Sequence, residues 1–221
     1  MIGVVGLLIW NGRKQTARKA DRARALGFSP VEFPDPRLAA RVERIYQIRQ
    51  NVEIELHNVY EHTTGDARIF MIDILDTGGE DSSWLGQEMI AIISPYLELP
   101  RFFLMSKVQM NGMFVDTMNE ALHKLADYLA SRQGLTPITF QNHPELEERF
   151  MIYADDEREI HRFFNDYRLD QLARLEAKYE IDALGDTMIM KNCYPEREDD
   201  PDYILRETYR TAFDLFRLFQ E

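Results

Sequence analysis

One cysteine, Cys193, occurs in 221 residues. A single thiol cannot staple the fold, so the chain must hold itself together by burying apolar surface, which its length allows. The lone thiol suits a reducing compartment, and it reads either as a small filler near a strand end or as a nucleophile. A membrane-spanning apolar run is also lacking. Met1–Trp10 carries no charge but is half of the ~20 residues that a spanning helix needs. No phosphate-cradling G-x-x-x-x-G-K loop, no G-x-G-x-x-G and no G-x-S-x-G occurs, which removes the common nucleotide and serine-hydrolase signatures. Positive charge is scarce too: the formal net charge is −12. An acidic protein repels phosphate backbones, which disfavours general nucleic-acid binding.

What charge there is falls unevenly. Residues 1–50 hold ten Lys or Arg and four Asp or Glu, a net of +6, which leaves −18 for residues 51–221. The asymmetry divides the chain into an apolar stub with a basic helical leader, 1–50, and a single α+β domain, 51–221. The apolar Met1–Trp10 lacks the basic start and small-residue cleavage site of a signal peptide. Arg13, Lys14, Arg18, Lys19, Arg22 and Arg24 follow it. An apolar run followed by a basic cluster is how a membrane helix meets the cytoplasm. Three readings stay open: the end of an anchor that begins upstream, an interfacial segment making membrane contact through residues 1–24, or an ordinary buried segment. The first two place the remainder in the cytoplasm, attached to the inner membrane by its N-terminus.

Periodicity supplies the elements. Residues 13–26 form an Ala/Arg/Lys-rich helix, with Gly27 as its C-cap and Pro30 beyond. A second helix spans about 37–49. From Val52 the period changes to two, and 52–75 reads as a hairpin around Thr64-Gly65-Asp66. A polar loop covers Thr77–Ser83. Strands follow at Gln87–Ile93 and Arg101–Met105. Thr117–Gln133 is an amphipathic helix with Met118, Leu122, Leu125 and Leu129 on one face. Further strands fall at Thr136–Phe140, Arg149–Tyr153, Tyr179–Asp182 and Thr187–Lys191. Asp156, with Glu159 three residues on, caps a helix that buries Ile160, Phe163 and Phe164. Another helix runs near Leu169–Ala177. Asp200-Pro201 opens a long C-terminal helix whose inner stripe is Leu205, Tyr209, Ala212, Phe213, Phe216 and Phe219. Short strands in consecutive pairs predict an α+β fold: antiparallel sheet with packed helices, a basic helix at one end and a long helix at the other.

Few residues suggest chemistry. Ile74-Leu75-Asp76-Thr77-Gly78-Gly79 resembles the catalytic turn of retroviral-type aspartic proteases, where two carboxylates share a proton. The bracing second hydrophobic-Gly segment of those enzymes is missing, and Asp-Thr-Gly-Gly is also what a loop after a strand contains. Asp76 is therefore a weak catalytic candidate, and the protease reading is disfavoured. His57, His62, His123, His143 and His161 form no H-x-x-x-H pair. On a regular strand His57 and His62 point to opposite faces. No metal and no cofactor is expected. Glu145, Glu147 and Glu148 beside Asp155 and Asp156 read as a solvated acidic face. Trp84, at the end of the loop 77–84, is either a partner contact or packed beneath the loop. The helix 117–133 is a second contact region.

Three segments carry a resemblance: Gly86-Gln87 leading to Leu97-Glu98-Leu99-Pro100-Arg101-Phe102-Phe103-Leu104, then Phe150–Asp156 running into its helix, then a strand pair around Gly185-Asp186 before a long C-terminal helix. With Gly27-Phe28 closing the basic helix, the chain resembles a group of uncharacterised bacterial proteins. These have an N-terminal membrane helix and a cytoplasmic α+β domain of unknown function. It departs from them in its shorter apolar stub and in Ser106-Lys107, where many have Pro-Glu. The resemblance implies a place beside the membrane and brings no activity. The expected function is a non-catalytic binding or scaffolding protein with a protein partner or a second copy of itself. A hydrolase with an unrecognised site is the alternative.

Overall fold

The computed structural model describes residues 16–46, 53–78, 82–107, 120, 124, 126–127, 134–193 and 200–221. The apolar stub, Met1–Trp10, and the basic Arg13 and Lys14 lie outside these residues.

Helix α1 (16–25) ends as its sequence predicts. Gly27 takes φ +83°, and the N–H groups of Phe28 and Gly27 donate to the carbonyls of Ala23 (3.0 Å) and Arg24 (2.9 Å). This is a Schellman close, which a Cβ at position 27 would strain. After β1 (Ser29–Pro30) and α2 (Pro36–Tyr46), a hairpin of β2 (Ile54–Thr64) and β3 (Ala67–Asp76) turns on Gly65 at φ +56°. Strand β4 (Ser83–Ile93) begins earlier than its apolar run suggests, so Trp84 lies in a strand and not in the loop; residues 79–81 are outside the described set. β5 is Leu99–Ser106 and β6 is Thr136–Ile138. Between them, Glu120, Lys124, Ala126 and Asp127 are helical; the rest of the helix predicted over 117–133 is outside the described residues.

A short helix the periodicity did not show, α3 (Pro144–Arg149), leads into β7 (Phe150–Ala154). It is too brief to display a 3.6-residue pattern. α4 (Glu157–Phe163) starts as expected, with the Asp156 carboxylate accepting from the N–H groups of Arg158 and Glu159 (both 2.9 Å). α5 (Asp166–Ala173) starts earlier than predicted because Asn165 caps it, accepting from the Arg168 N–H at 2.9 Å. The hairpin of β8 (Tyr179–Gly185) and β9 (Thr187–Asn192) precedes α6 (Pro201–Gln220), whose N-cap is Asp200.

The fold is α+β. The nine strands of the described residues form one antiparallel sheet in the order β1-β2-β3-β4-β9-β8-β5-β7-β6. Its edge strands have two and three residues, too short to template a further strand. Central strands are apolar on both faces, as a sheet covered on both sides requires. Alternate residues of β3 divide accordingly: Ile69 and Met71 join the core beneath α1 and α6, while Phe70, Ile72 and Ile74 join the core beneath α2. The stripe of α6 is rotated slightly from its predicted position, with Leu215 and Leu218 buried and Tyr209 and Phe213 half-buried. A third cluster, Phe103, Met105, Met151 and Tyr153, packs on Ala126. Ser106 stitches β5 to β8: its hydroxyl donates to the Tyr179 carbonyl (2.7 Å) and accepts from the Tyr179 N–H (2.9 Å).

The segment 16–46, set apart by its charge, contributes to both cores. Ala23 and Phe28 enter the first and Leu38, Val42, Ile45 and Tyr46 the second. Among the described residues it packs with the sheet and is not a detached leader.

Candidate functional site

Asp76 ends β3. Its Oδ1 accepts the Gly78 N–H at 3.0 Å, and the Thr77 N–H donates to the Glu53 carbonyl at 2.8 Å. The carboxylate thus builds a local turn, a common use of Asp after a strand. Asp76→Asn keeps an acceptor at that position. Its expected effect is below about 0.5 kcal/mol in denaturant unfolding; a loss above 2 kcal/mol would show that the charge itself is needed.

Three residues earlier stands a carboxylate that belongs to no sequence motif. Asp73 is 2% exposed and interrupts the apolar run of β3. Its Oδ2 accepts from Lys19 Nζ at 2.6 Å and from Asn58 Nδ2 at 2.7 Å; its Oδ1 accepts the Glu88 N–H at 2.7 Å. The sheet is irregular on both sides. The β2–β3 register shifts between His57 and Tyr60, and the β3–β4 register shifts around Ile74. Asn58 and Glu88 both take positive φ, +47° and +53°. Each bulge turns a donor toward Asp73 that a regular ladder would direct elsewhere. Lys19 also donates to Gln87, and Arg22 pairs with Glu88 beside it.

This network takes up part of the basic cluster. Lys19 pairs with Asp73, Arg22 with Glu88 and, at 3.8 Å, with Asp202, and Arg24 with Asp21. Two of the six basic residues therefore clamp α1 to the sheet.

The bulge also changes the histidines. His57 pairs directly with Asp73, and His62 with Ile69, both on the α1 side, so the extra residue at Asn58 brings the two rings to one face. The expectation of opposite faces assumed a regular strand, which this is not. His62 packs against Phe28 and Tyr209. The His57 and Trp84 rings pack in a T-shape with centroids 5.5 Å apart, and His57 Nε2 lies 3.2 Å from Glu55 Oε2. Trp84 itself is 48% exposed.

Elsewhere, Cys193 follows β9 as a partly buried thiol. Burial, then the neighbouring Glu180, pushes its pKa up to about 12, so it is held protonated and non-nucleophilic. Tyr46 donates to the buried Asp182 at 3.1 Å, and burial followed by that charge raises the phenol well above its ordinary range. The acidic residues around 145–156 are more than a solvated face. Glu147 accepts the Phe140 N–H at 2.8 Å and Asp156 caps α4.

Glu145 belongs to a group around His143, which is 8% exposed. His143 Nδ1 lies 3.3 Å from Glu145 Oε1 and 3.6 Å from Asp170 Oδ1, and its Nε2 lies 3.3 Å from Asp166 Oδ1. Burial of the ring opposes protonation, but the hydrogen bonds to Asp166 and Glu145 outweigh it and raise the pKa. The resulting stabilisation is complete below the ordinary value near 6.5 and fades as pH rises through the raised one. Because the carboxylates face solvent, water screens it. A cavity of about 490 Å³ alongside is lined by His143, Glu157, His161 and Asp166. Spacing along the chain gave no sign of this cluster, because its members lie on two helices that meet only in the fold.

No protein-family model, curated protein or solved structure matches this chain.

Proposed function

We propose that this protein is a non-catalytic binding module that holds a basic protein partner at the cytoplasmic face of a bacterial membrane. The observation that carries this reading is Trp84: a large aromatic, half-exposed on a strand, packed in a T-shape with His57, which in turn meets Glu55. A half-exposed indole offers a lysine or arginine a cation–π face, and Glu55, reached through His57, is a carboxylate on the same side of the sheet. The −18 carried by residues 51–221 steers such a partner and keeps anionic lipid away. The resemblance to proteins with an N-terminal membrane helix supports the location. Among the described residues no helix is long and apolar enough to cross a membrane; in this reading the membrane contact is made through residues 1–24.

The test uses the full chain, because residues 16–46 share the core. Wild type and Trp84→Ala are used to capture proteins from native membranes, and the affinity of the recovered partner is then measured. The variant is expected to bind about 10-fold more weakly or worse, as loss of an interface aromatic does, while stability changes by less than about 1 kcal/mol. Equal capture by both proteins, or turnover of a hydrolase substrate panel by the wild type, would reject the module reading.

A further inference from the structure

We propose that His143, Glu145 and Asp170 bind a divalent first-row transition-metal ion, with Asp166 orienting the imidazole. The site lies at the α3–α5 contact. In the sheet order β7, which α3 leads into, is separated from β4 and Trp84 by three strands, so the inference is independent of the partner-binding reading.

The backbone fixes both halves of the site before any ligand arrives. The His143 N–H donates to the Phe140 carbonyl at 2.7 Å, and the His143 carbonyl accepts the Leu146 N–H at 3.0 Å. This holds the histidine at the head of α3 with Glu145 in the first turn. On α5, Asp166 and Asp170 are four residues apart and therefore stand on one face. The Asn165 cap sets where that face begins.

The distances suit a metal. The three donor atoms lie within 4.8 Å of one another, with the imidazole nitrogen 3.3 and 3.6 Å from the two oxygens. Donors at about 2.0–2.2 Å from a tetrahedral ion stand roughly 3.3–3.6 Å apart, the separations the imidazole nitrogen already makes with both oxygens. One imidazole and two carboxylates favour zinc, cobalt or manganese over calcium or magnesium, which prefer oxygen alone. Water would complete the coordination, since Glu145 and Asp170 face solvent. The second ring nitrogen contacts Asp166 at 3.3 Å, the outer carboxylate that metal-bound histidines usually have.

Charge supplies a separate argument. Glu145, Asp166 and Asp170 converge on one imidazole, and among the described residues no lysine or arginine lies within ion-pair distance of any of them. A divalent ion held there would offset two of the three negative charges.

The experiment titrates the chelator-treated full chain at pH 7.5 with ZnCl₂ by calorimetry and with Co²⁺ by its visible absorption, and follows Tm with and without zinc. The wild type is expected to bind one ion per chain and to melt at higher temperature with zinc. Asp170→Asn and Glu145→Gln, both at exposed positions, are each expected to weaken binding about 10-fold or more and to remove the Tm rise. Asp166→Asn should weaken it about 10- to 100-fold, and His161→Gln should leave it unchanged. His143→Gln should abolish binding; if that variant fails to fold, the two exposed variants decide. No saturable binding by the wild type, or unchanged binding in both Asp170→Asn and Glu145→Gln, would overturn the proposal.

Discussion

Replacing Asp73 by alanine is expected to destabilise the protein by about 3–5 kcal/mol, the usual cost of breaking a buried ion pair by removing one partner. The loss has three parts. Lys19 keeps its charge with only Gln87 to receive it. Asn58 loses its acceptor, and so does the Glu88 N–H. Glu88 also sits at φ +53°, where a residue with a Cβ is strained, and Asp73 is what holds its N–H in that position. Two bulges therefore depend on one carboxylate, and its removal should loosen β2 and β4 together. Lys19→Met leaves the carboxylate buried without its counter-ion and should cost a similar amount. The double variant Lys19→Met with Asp73→Ala should cost less than the sum, with a coupling of about 1–3 kcal/mol. Denaturant unfolding of the four proteins measures this. An Asp73→Ala loss under 1 kcal/mol would mean that the network is incidental to stability.

Phe102→Ala should have an effect of the same size, about 3–5 kcal/mol, for a different reason. Phe102 is buried on β5 beside Ala154 and Ala183, one on each neighbouring strand. The small neighbours leave room that its ring fills. Above it stand Phe164 at 5.1 Å, Phe163 at 6.1 Å and Phe219 at 6.2 Å. These rings come from α4, the residue after it, and α6, so deletion opens a cavity where three elements meet. Arg168 lies over Phe163 at 4.3 Å, which limits how far that ring can collapse inward. Thermal or denaturant unfolding of the variant checks this. A loss below 1.5 kcal/mol would show that the helices close the gap. Phe102→Leu, which retains most of the volume, should cost less.

Much of the fold was legible in the sequence, because its signals are local. Asp156 before α4, Asp200-Pro201 before α6 and Gly27 after α1 act within a few residues of themselves, and each does what its chemistry dictates. The hairpins on Gly65 and Gly185 follow from positive φ at the turn. Alternation in β2 and apolar runs in β3 and β4 identified strands, although the start of β4 was concealed because Ser83 and Trp84 are not apolar-periodic. The same locality misdirected attention to Asp76. Asp-Thr-Gly-Gly stands out as a string, whereas Asp73 is one acid in an apolar run and acquires meaning only from Lys19, 54 positions away.

By itself, then, the sequence determined the α+β class, nearly all the elements, the caps at Gly27, Asp156 and Asp200, and the acidic bias, since each depends on neighbours along the chain. Tertiary structure alone decided the order of the nine strands, with β9 inserted between β4 and β8. It also decided that residues 16–46 belong to the cores, that the two bulges converge on Asp73, and that His143 meets Asp170. Such pairings follow from how the covered faces of a sheet pack against helices contributed by distant parts of the chain. That information lies in the shape and charge of both partners at once, and no window along a single segment contains it.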